Sequence, residues 1–132
     1  MGLKTTRQIA EYAHDLKFDA LPSAMVEHIK DIVMGYMSST LAGSILPIGR
    51  IATQYARSQA TSPQAGVFGG GFKTTLEAAA MANATMSHAT ELEDVAFPDG
   101  LYTLTVLAPV FAIAEHRRMS GKEAIEAFVV GY

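Results

Sequence analysis

The sequence contains no cysteine, and only 17% of its 132 residues carry a charge. Without cysteine the chain cannot form disulfides, thiolate metal sites or cysteine nucleophiles, and this composition fits a reducing compartment. The first residues also lack the apolar core of a signal peptide, so we expect a cytoplasmic protein. Hydrophobic residues make up 49% of the chain, which excludes the disordered class and suits one packed domain.

An excess of positive charge is missing as well, because 10 Lys and Arg are outnumbered by 13 Asp and Glu. Domains that bind nucleic acid are strongly basic, so we expect no nucleic-acid partner.

A stretch without charge runs over Ile32–Gly49 and approaches the length of a bilayer span. It contains serines, glycines and Pro47 and has no polybasic flank, so we interpret it as buried in protein and expect no membrane contact.

Apolar residues recur at helical spacing through most of the chain, which predicts an all-α fold of about five to six helices. We expect a first helix over Thr5–Leu16, a second from Pro22 to Gly43 and a third over Pro47–Ser58. The side chains predicted to face inward are Ile9, Tyr12, Ala13 and Leu16 in the first helix, and Ile48, Ile51, Ala52 and Tyr55 in the third.

A glycine-rich break over Ala60–Lys73 separates these helices from the rest and has room for one short strand at Val67-Phe68. Its glycines precede Lys73, but Phe72 stands where a phosphate-binding loop needs the lysine, so we expect a turn and not a nucleotide site. Thr74 and Glu77 have the spacing of a capping box that opens a helix of small, buried residues.

Two further helices are expected near the C-terminus. One covers Leu104–His116, and the other begins at a second capping box formed by Ser120 and Glu123. The last helix is still apolar at Val129–Tyr132, so we expect that the polypeptide was cut here or that this end docks against a partner.

The acidic segment after the small-residue helix is the best candidate for chemistry. His88 and Glu91 are three residues apart on a helix and can touch, and Glu93 and Asp94 follow. Such a pair can act in proton transfer, but a solvated helix end explains the same residues. No second histidine lies nearby, so we expect neither a metal site nor a cofactor.

The order of several short motifs resembles the MmgE/PrpD family of dehydratases, decarboxylases and epimerases of small polycarboxylates. The motifs are Ile9–Leu16 with Leu21-Pro22, Thr40–Ser44, Phe68–Thr74, Ala79–Asn83 with His88, Glu91–Asp94, Ala108-Pro109 with Ala114-Glu115, Ser120-Gly121 and Gly131-Tyr132. The resemblance implies that residues 1–132 form part of the larger, helical domain of such an enzyme, as a fragment or as the small subunit of a split enzyme.

The resemblance also implies roles for individual residues. Glu91 stands where the family commonly has an aspartate that faces the substrate and, with His88 behind it, is the acid/base candidate. Glu93 and Asp94 match the first and second acids of the family's usual Asp-Asp pair. Tyr102 and Thr103 occupy the place of the family's His-Pro-Gly. Tyr102 is then a catalytic candidate in place of histidine, although tyrosine with a pKa near 10 donates and accepts protons less readily at neutral pH. Asp94 and Thr103 are the substrate-binding candidates.

The function implied is therefore that of a cofactor-independent lyase or isomerase for a small polycarboxylate. The acidic segment offers no cation and Lys73 is the nearest one in sequence, so a second, larger chain or a homo-oligomer would have to bind the substrate carboxylates. The alternative is a non-catalytic helical module that stabilises a partner.

Overall fold

The computed structural model describes residues 2–92, 94, 100 and 102–132. Within them the prediction of an all-α fold is confirmed, and a short 3₁₀ turn at Phe18–Ala20 links the first two helices. The described helices are α1 (Gly2–Asp15), α2 (Ser23–Gly43), α3 (Pro47–Ser58), α4 (Leu76–His88), α5 (Thr103–Arg117) and α6 (Gly121–Gly131).

Helix α4 lies at the centre of the fold and packs against α2, α3 and α5. Small side chains allow this close packing, and the prediction of a buried small-residue helix is confirmed. A Cβ at Gly43 would lie 1.8 Å from the backbone oxygen of Met86, so only glycine lets α2 approach α4 this closely. The buried residues of α4 are Ala78, Ala79, Ala82, Asn83, Met86 and Ser87.

A two-stranded antiparallel hairpin fills the break between α3 and α4. Its strands are β1 (Ala65–Gly66) and β2 (Lys73–Thr74). The prediction of a strand at Val67-Phe68 is therefore wrong, because the first strand lies two residues earlier, at Ala65–Gly66. The amide of Phe68 leaves the strand pairing because it donates to Asn83 Oδ1 at 2.9 Å, while Asn83 Nδ2 donates to Gly66 O at 3.0 Å.

Thr75, and not Thr74, caps the N-terminus of α4. The Thr75 hydroxyl accepts from the amide of Ala78 at 3.4 Å. Thr74 belongs to β2 and is buried, and its hydroxyl donates to Ala56 O at 2.8 Å. The prediction of a Thr74–Glu77 capping box is thus wrong, because a contact distant in sequence uses the Thr74 hydroxyl.

The second capping box is confirmed. Ser120 Oγ accepts from the amide of Glu123 at 3.3 Å, and Glu123 Oε2 accepts from the amide of Ser120 at 2.7 Å. These bonds satisfy two amides that α6 leaves free at its first turn. The Glu123 carboxylate binds the backbone within its own helix turn and so fixes where α6 begins.

The predicted inward faces of α1 and α3 are only partly correct. In α1 the side chains of Ile9 and Tyr12 are exposed, whereas Ala13 is half-buried, as is Leu16 just after the end of the helix. In α3 only Ala52 of the four predicted residues is buried. Ala52 and Ala56 pack on α4, whereas the buried Gly49 lies against the end of α2 at Gly43. The larger side chains of α3, which are Ile48, Ile51 and Tyr55, remain exposed.

Helices α2 and α3 meet at an angle of 91°. Among the described residues no single helix is both long and apolar enough to cross a membrane, although this bent pair reaches that length and composition together.

The inner side of α2 contributes Tyr36 to an aromatic group, in which the Tyr36 ring stacks on Phe111 and contacts Phe68 edge-on.

Candidate functional site

The C-terminus of α4 places the first two candidate residues next to each other. His88 is the last residue of α4, and its Nε2 lies 3.9 Å from Glu91 Oε1. Both side chains are exposed, so the contact is weak and carries charge on both sides only when His88 is protonated. The predicted contact at this spacing is confirmed.

Glu91 also has an unusual backbone conformation. Its φ is 53°, in the left-handed region that non-glycine residues rarely adopt, and its amide donates to His88 O at 3.1 Å. This left-handed turn ends the chain's helical path just after α4. The turn directs the Glu91 side chain away from the buried face of the helix, since that side chain is exposed.

The N-terminus of α5 holds the second pair. Thr103 is the first residue of α5 and is 3% exposed. Its hydroxyl donates to Asp94 Oδ2 at 2.7 Å. Asp94 itself is half-buried, and a carboxylate beside the first turn of a helix is stabilised by the helix dipole. The structure therefore brings together the two residues that the sequence assigned to substrate binding.

Tyr132 is a member of this site that sequence reasoning missed as a functional residue. Its hydroxyl donates to Asp94 Oδ2 over 3.5 Å, and the Tyr102 ring meets its ring edge-on at 6.1 Å. Partial burial raises the pKa of Tyr132, and the charge of Asp94 raises it further. Gly131-Tyr132 was part of the family resemblance, but no local pattern indicates a contact 38 residues away.

A pocket of about 320 Å³ lies between α2, the end of α4 and the start of α5. Asp94 and Thr103 line it, whereas His88, Glu91 and Tyr102 are not among its described lining residues. Ser87 also lines the pocket and is buried, with its hydroxyl 2.8 Å from that of Ser39. The other lining residues are Asp31, Ile32, Gly35, Tyr36, Leu92 and Leu104.

The charge of this pocket is negative, because Asp31 and Asp94 are its only charged residues in the described part of the chain. Lys73, the nearest cation in sequence, does not line the pocket. It forms an ion pair with Glu115, in which Lys73 Nζ lies 2.8 Å from Glu115 Oε1. Glu115 Oε2 also accepts from the amide of Gly66 at 2.7 Å. Burial alone would raise the pKa of Glu115, but these hydrogen bonds and the Lys73 charge lower it.

The candidate residues predicted from the sequence thus form two pairs, His88 with Glu91 on the surface and Asp94 with Thr103 at the pocket. Tyr132 contacts the second pair through Asp94. Glu93, the other acidic candidate, lies outside the described residues, as does most of the segment between Asp94 and Tyr102. Within the described ranges no group of three His, Cys, Asp or Glu side chains is arranged to hold a metal ion.

Comparison with known proteins identifies the family. The MmgE/PrpD N-terminal domain matches residues 7–132. The chain belongs to the MmgE/PrpD family. This match includes every candidate residue of the two pairs, and it agrees with the confirmed helical fold.

Curated relatives of this chain include two cis-aconitate decarboxylases. One is from Aspergillus terreus and the other from Aspergillus terreus strain NIH 2624 / FGSC A1156. Each is 29% identical to this chain over an alignment of 133 positions, which covers 96% of the chain. The chain spans only 27% of the length of these relatives.

Proposed function

We propose that this chain supplies the helical, N-terminal part of the active site of a lyase or isomerase that acts on a small polycarboxylate without a cofactor. The observation that carries the proposal is the match of residues 7–132 to the MmgE/PrpD N-terminal domain. Because two relatives are cis-aconitate decarboxylases, decarboxylation of cis-aconitate or a close analogue is the first reaction to test. Dehydration and epimerisation remain the other reactions within the proposal.

Each of these reactions moves a proton to or from a carbon beside a carboxylate. In decarboxylation the bond between the carboxyl carbon and the substrate carbon that bears it breaks. The electron pair of this bond stays on the substrate, and an acid protonates the resulting carbanion as CO₂ leaves. We assign this proton transfer to Glu91 and His88, which lie within 3.9 Å of each other, with Tyr102 as a further proton donor. Asp94, held by Thr103, binds and orients the substrate at the pocket.

The substrate carboxylates require cations that the described pocket does not supply. Asp31 and Asp94 make it negative, and Lys73 is paired with Glu115. We therefore propose that a second, larger chain, a later part of a longer polypeptide or a further copy of this chain supplies them. The same segment would cover His88 and Glu91, whose exposure to water is unsuited to proton transfer in a closed site.

The test is the activity of the assembly that contains this chain. We would isolate it from its own cells through a tag on this chain and measure CO₂ release from cis-aconitate. Glu91→Gln should lower kcat by about 10²–10⁴-fold, the range for loss of a general acid or base. Glu77→Gln, at the exposed first turn of α4, is the matched control and should retain activity. Unchanged turnover in Glu91→Gln would show that the role assigned to Glu91 is wrong.

A non-catalytic helical subunit is the second candidate, and the exposed apolar side chains of α3 favour it. Under this alternative the assembly is active, but replacement of His88, Glu91 and Asp94 together leaves its activity unchanged. The same triple variant abolishes turnover under the first proposal. One assay of this variant therefore separates the two functions.

A further inference from the structure

The pair Gly131-Tyr132, one of the motifs behind the family resemblance, has no part in the reaction proposed above. It lies at the end of α6, where Gly131 is the last residue of the helix. A Cβ at position 131 would lie 2.6 Å from Val106 Cγ1 on α5. The branched side chain of Val106 has little freedom to turn away. A glycine at this position therefore lets the end of α6 lie directly against α5.

The ring of Tyr132 is held by packing. Its centroid lies 5.3 Å from that of Phe128, which is 2% exposed and belongs to the core, and 6.1 Å from that of Tyr102. Aromatic rings at such separations attract each other and prefer defined relative orientations. The Tyr132 hydroxyl therefore has a defined position, although 48% of the residue is exposed.

That position is beside Asp94, which accepts hydrogen bonds from two helix ends at one oxygen. Thr103 Oγ1, at the start of α5, lies 2.7 Å from Asp94 Oδ2. The Tyr132 hydroxyl, at the end of α6, lies 3.5 Å from the same oxygen. Asp94 Oδ1 accepts no hydrogen bond from the residues that the structure describes. The fold thus occupies Oδ2 and leaves Oδ1 for a molecule bound at the pocket that Asp94 lines.

Two donors constrain the Asp94 carboxylate more than one does. With Thr103 alone the carboxylate can turn about a single hydrogen bond, whereas a second donor from a different helix restricts that turn. Tyr132 keeps the proton that it donates, because partial burial and the charge of Asp94 raise the pKa of its hydroxyl. The bond from Tyr132 is long, so its loss should loosen Asp94 without unfolding the site.

We propose that Tyr132, placed by Gly131, is a positioning residue that holds Asp94 with Oδ1 free to bind the substrate. The proposal rests on the proposed function, which assigns substrate binding to Asp94. It gives a role to the pair Gly131-Tyr132, which the sequence pattern alone did not. It also makes substrate affinity depend on how closely α6 packs on α5, at residues that do not touch the substrate.

Steady-state kinetics of the assembly, isolated through a tag on this chain, test this role. Tyr132→Phe removes the hydroxyl but keeps the ring and its packing. We expect the KM for cis-aconitate to rise about 3–10-fold, the range for one hydrogen bond. The kcat should stay close to the wild-type value, because an interaction present in both the ground state and the transition state changes KM alone. Gly131→Ala should raise KM in the same way, since it displaces Tyr132.

Two matched controls separate this effect from a general loss of structure. Tyr55→Phe removes a hydroxyl from an exposed ring on α3, and Gly121→Ala adds a Cβ that meets nothing within 4 Å at the other end of α6. Both should leave KM and kcat unchanged. In an Asp94→Ala background the KM effect of Tyr132→Phe should disappear, because Tyr132 acts through Asp94.

A second measurement needs no catalysis. NMR coupling constants of the Asp94 side chain report its χ1 rotamer in this chain. We expect one rotamer in the wild type and in Tyr55→Phe, and a partial loss of that single rotamer in Tyr132→Phe.

Three results would overturn the proposal. They are an unchanged KM for Tyr132→Phe in an active assembly, an Asp94 rotamer that Tyr132→Phe does not alter, and a KM effect that persists in the Asp94→Ala background. The last result would show that Tyr132 contacts the substrate itself. An assembly that does not turn over cis-aconitate decides against that reaction, and the NMR measurement alone then supports or overturns the role of Tyr132.

Discussion

Thr103 Oγ1 lies 2.7 Å from Asp94 Oδ2 and donates a hydrogen bond to it. Because Thr103 is buried in the first turn of α5, this bond joins the acidic segment to a helix of the central fold. Asp94 is thereby placed at the pocket by a rigid element and not by the segment alone. This hydrogen bond therefore holds a proposed substrate-binding residue in a fixed position.

Thr103→Val should weaken this link and destabilise the chain. The substitution keeps the shape of the side chain but removes the donor, so the free energy of unfolding should fall by about 1.5–3 kcal/mol, typical for a hydrogen bond to a charged group. Thr105→Val is the control. Thr105 is exposed, and its hydroxyl donates to Tyr102 O within its own helix turn, so the loss should stay below about 0.5 kcal/mol. Urea denaturation followed by circular dichroism measures both, and equal losses would contradict the assignment.

Asp94→Asn should lower the pKa of Tyr132. Partial burial and the Asp94 charge together raise this pKa, and the variant removes only the charge. The pKa should therefore move toward the ordinary tyrosine value and remain above it. NMR titration of ¹³C-labelled tyrosine measures the change, with Asp19→Asn, which disrupts the pair with Lys122, as a control that leaves Tyr132 unaffected. A Tyr132 pKa that does not respond to Asp94→Asn would show that the two groups are not in contact.

Glu115→Gln should flatten the acid side of the stability profile. The pKa of Glu115 is lowered in the folded chain from its ordinary value of 4.5. A lowered pKa means that this carboxylate stabilises the fold above pH 4.5 and that the stabilisation is lost as the pH falls through the lowered value. Thermal melts across the acid range should therefore show a shallower decline for Glu115→Gln. Glu77→Gln at an exposed turn is the control, and a decline as steep as that of the wild type in Glu115→Gln would refute the prediction.

Tyr36→Phe should leave stability unchanged or raise it. The Tyr36 hydroxyl is buried and has no hydrogen-bond partner among the described residues, and burial raises its pKa. Removing an unsatisfied buried hydroxyl should add between zero and about 2 kcal/mol to the free energy of unfolding. Chemical denaturation measures this, with Tyr12→Phe at an exposed ring as the control. A clear loss of stability in Tyr36→Phe would show that the hydroxyl has a partner.

The features predicted correctly from the sequence are those set by neighbours along the chain. The Ser120–Glu123 box depends on two residues three apart, and the His88–Glu91 contact depends on the same spacing. Helical periodicity likewise predicted the all-α class, and the run of small side chains predicted a central, buried α4. These signals need no knowledge of which helix packs on which.

The features that were missed depend on contacts between distant segments. Thr74 has the right spacing for a cap, but Ala56, eighteen residues earlier, takes its hydroxyl. In α3 the large apolar side chains predicted the inner face. The residues that are buried there are Ala52, which packs on α4, and Gly49, which lies against the end of α2. The contact of Tyr132 with Asp94 joins the last residue to the acidic segment, and no local spacing encodes it.

The central position of α4 limits how the length of this chain can change during evolution. Gly43 meets the backbone of Met86 within the distance that only glycine permits, and Asn83 holds the hairpin through two hydrogen bonds. One residue inserted between Met86 and His88 would turn the end of the helix by about 100° relative to these contacts. His88 and Glu91 would then face a different direction while the core kept its register. Insertions and deletions in homologous chains should therefore fall outside Leu76–His88, even where the identity of individual residues has drifted.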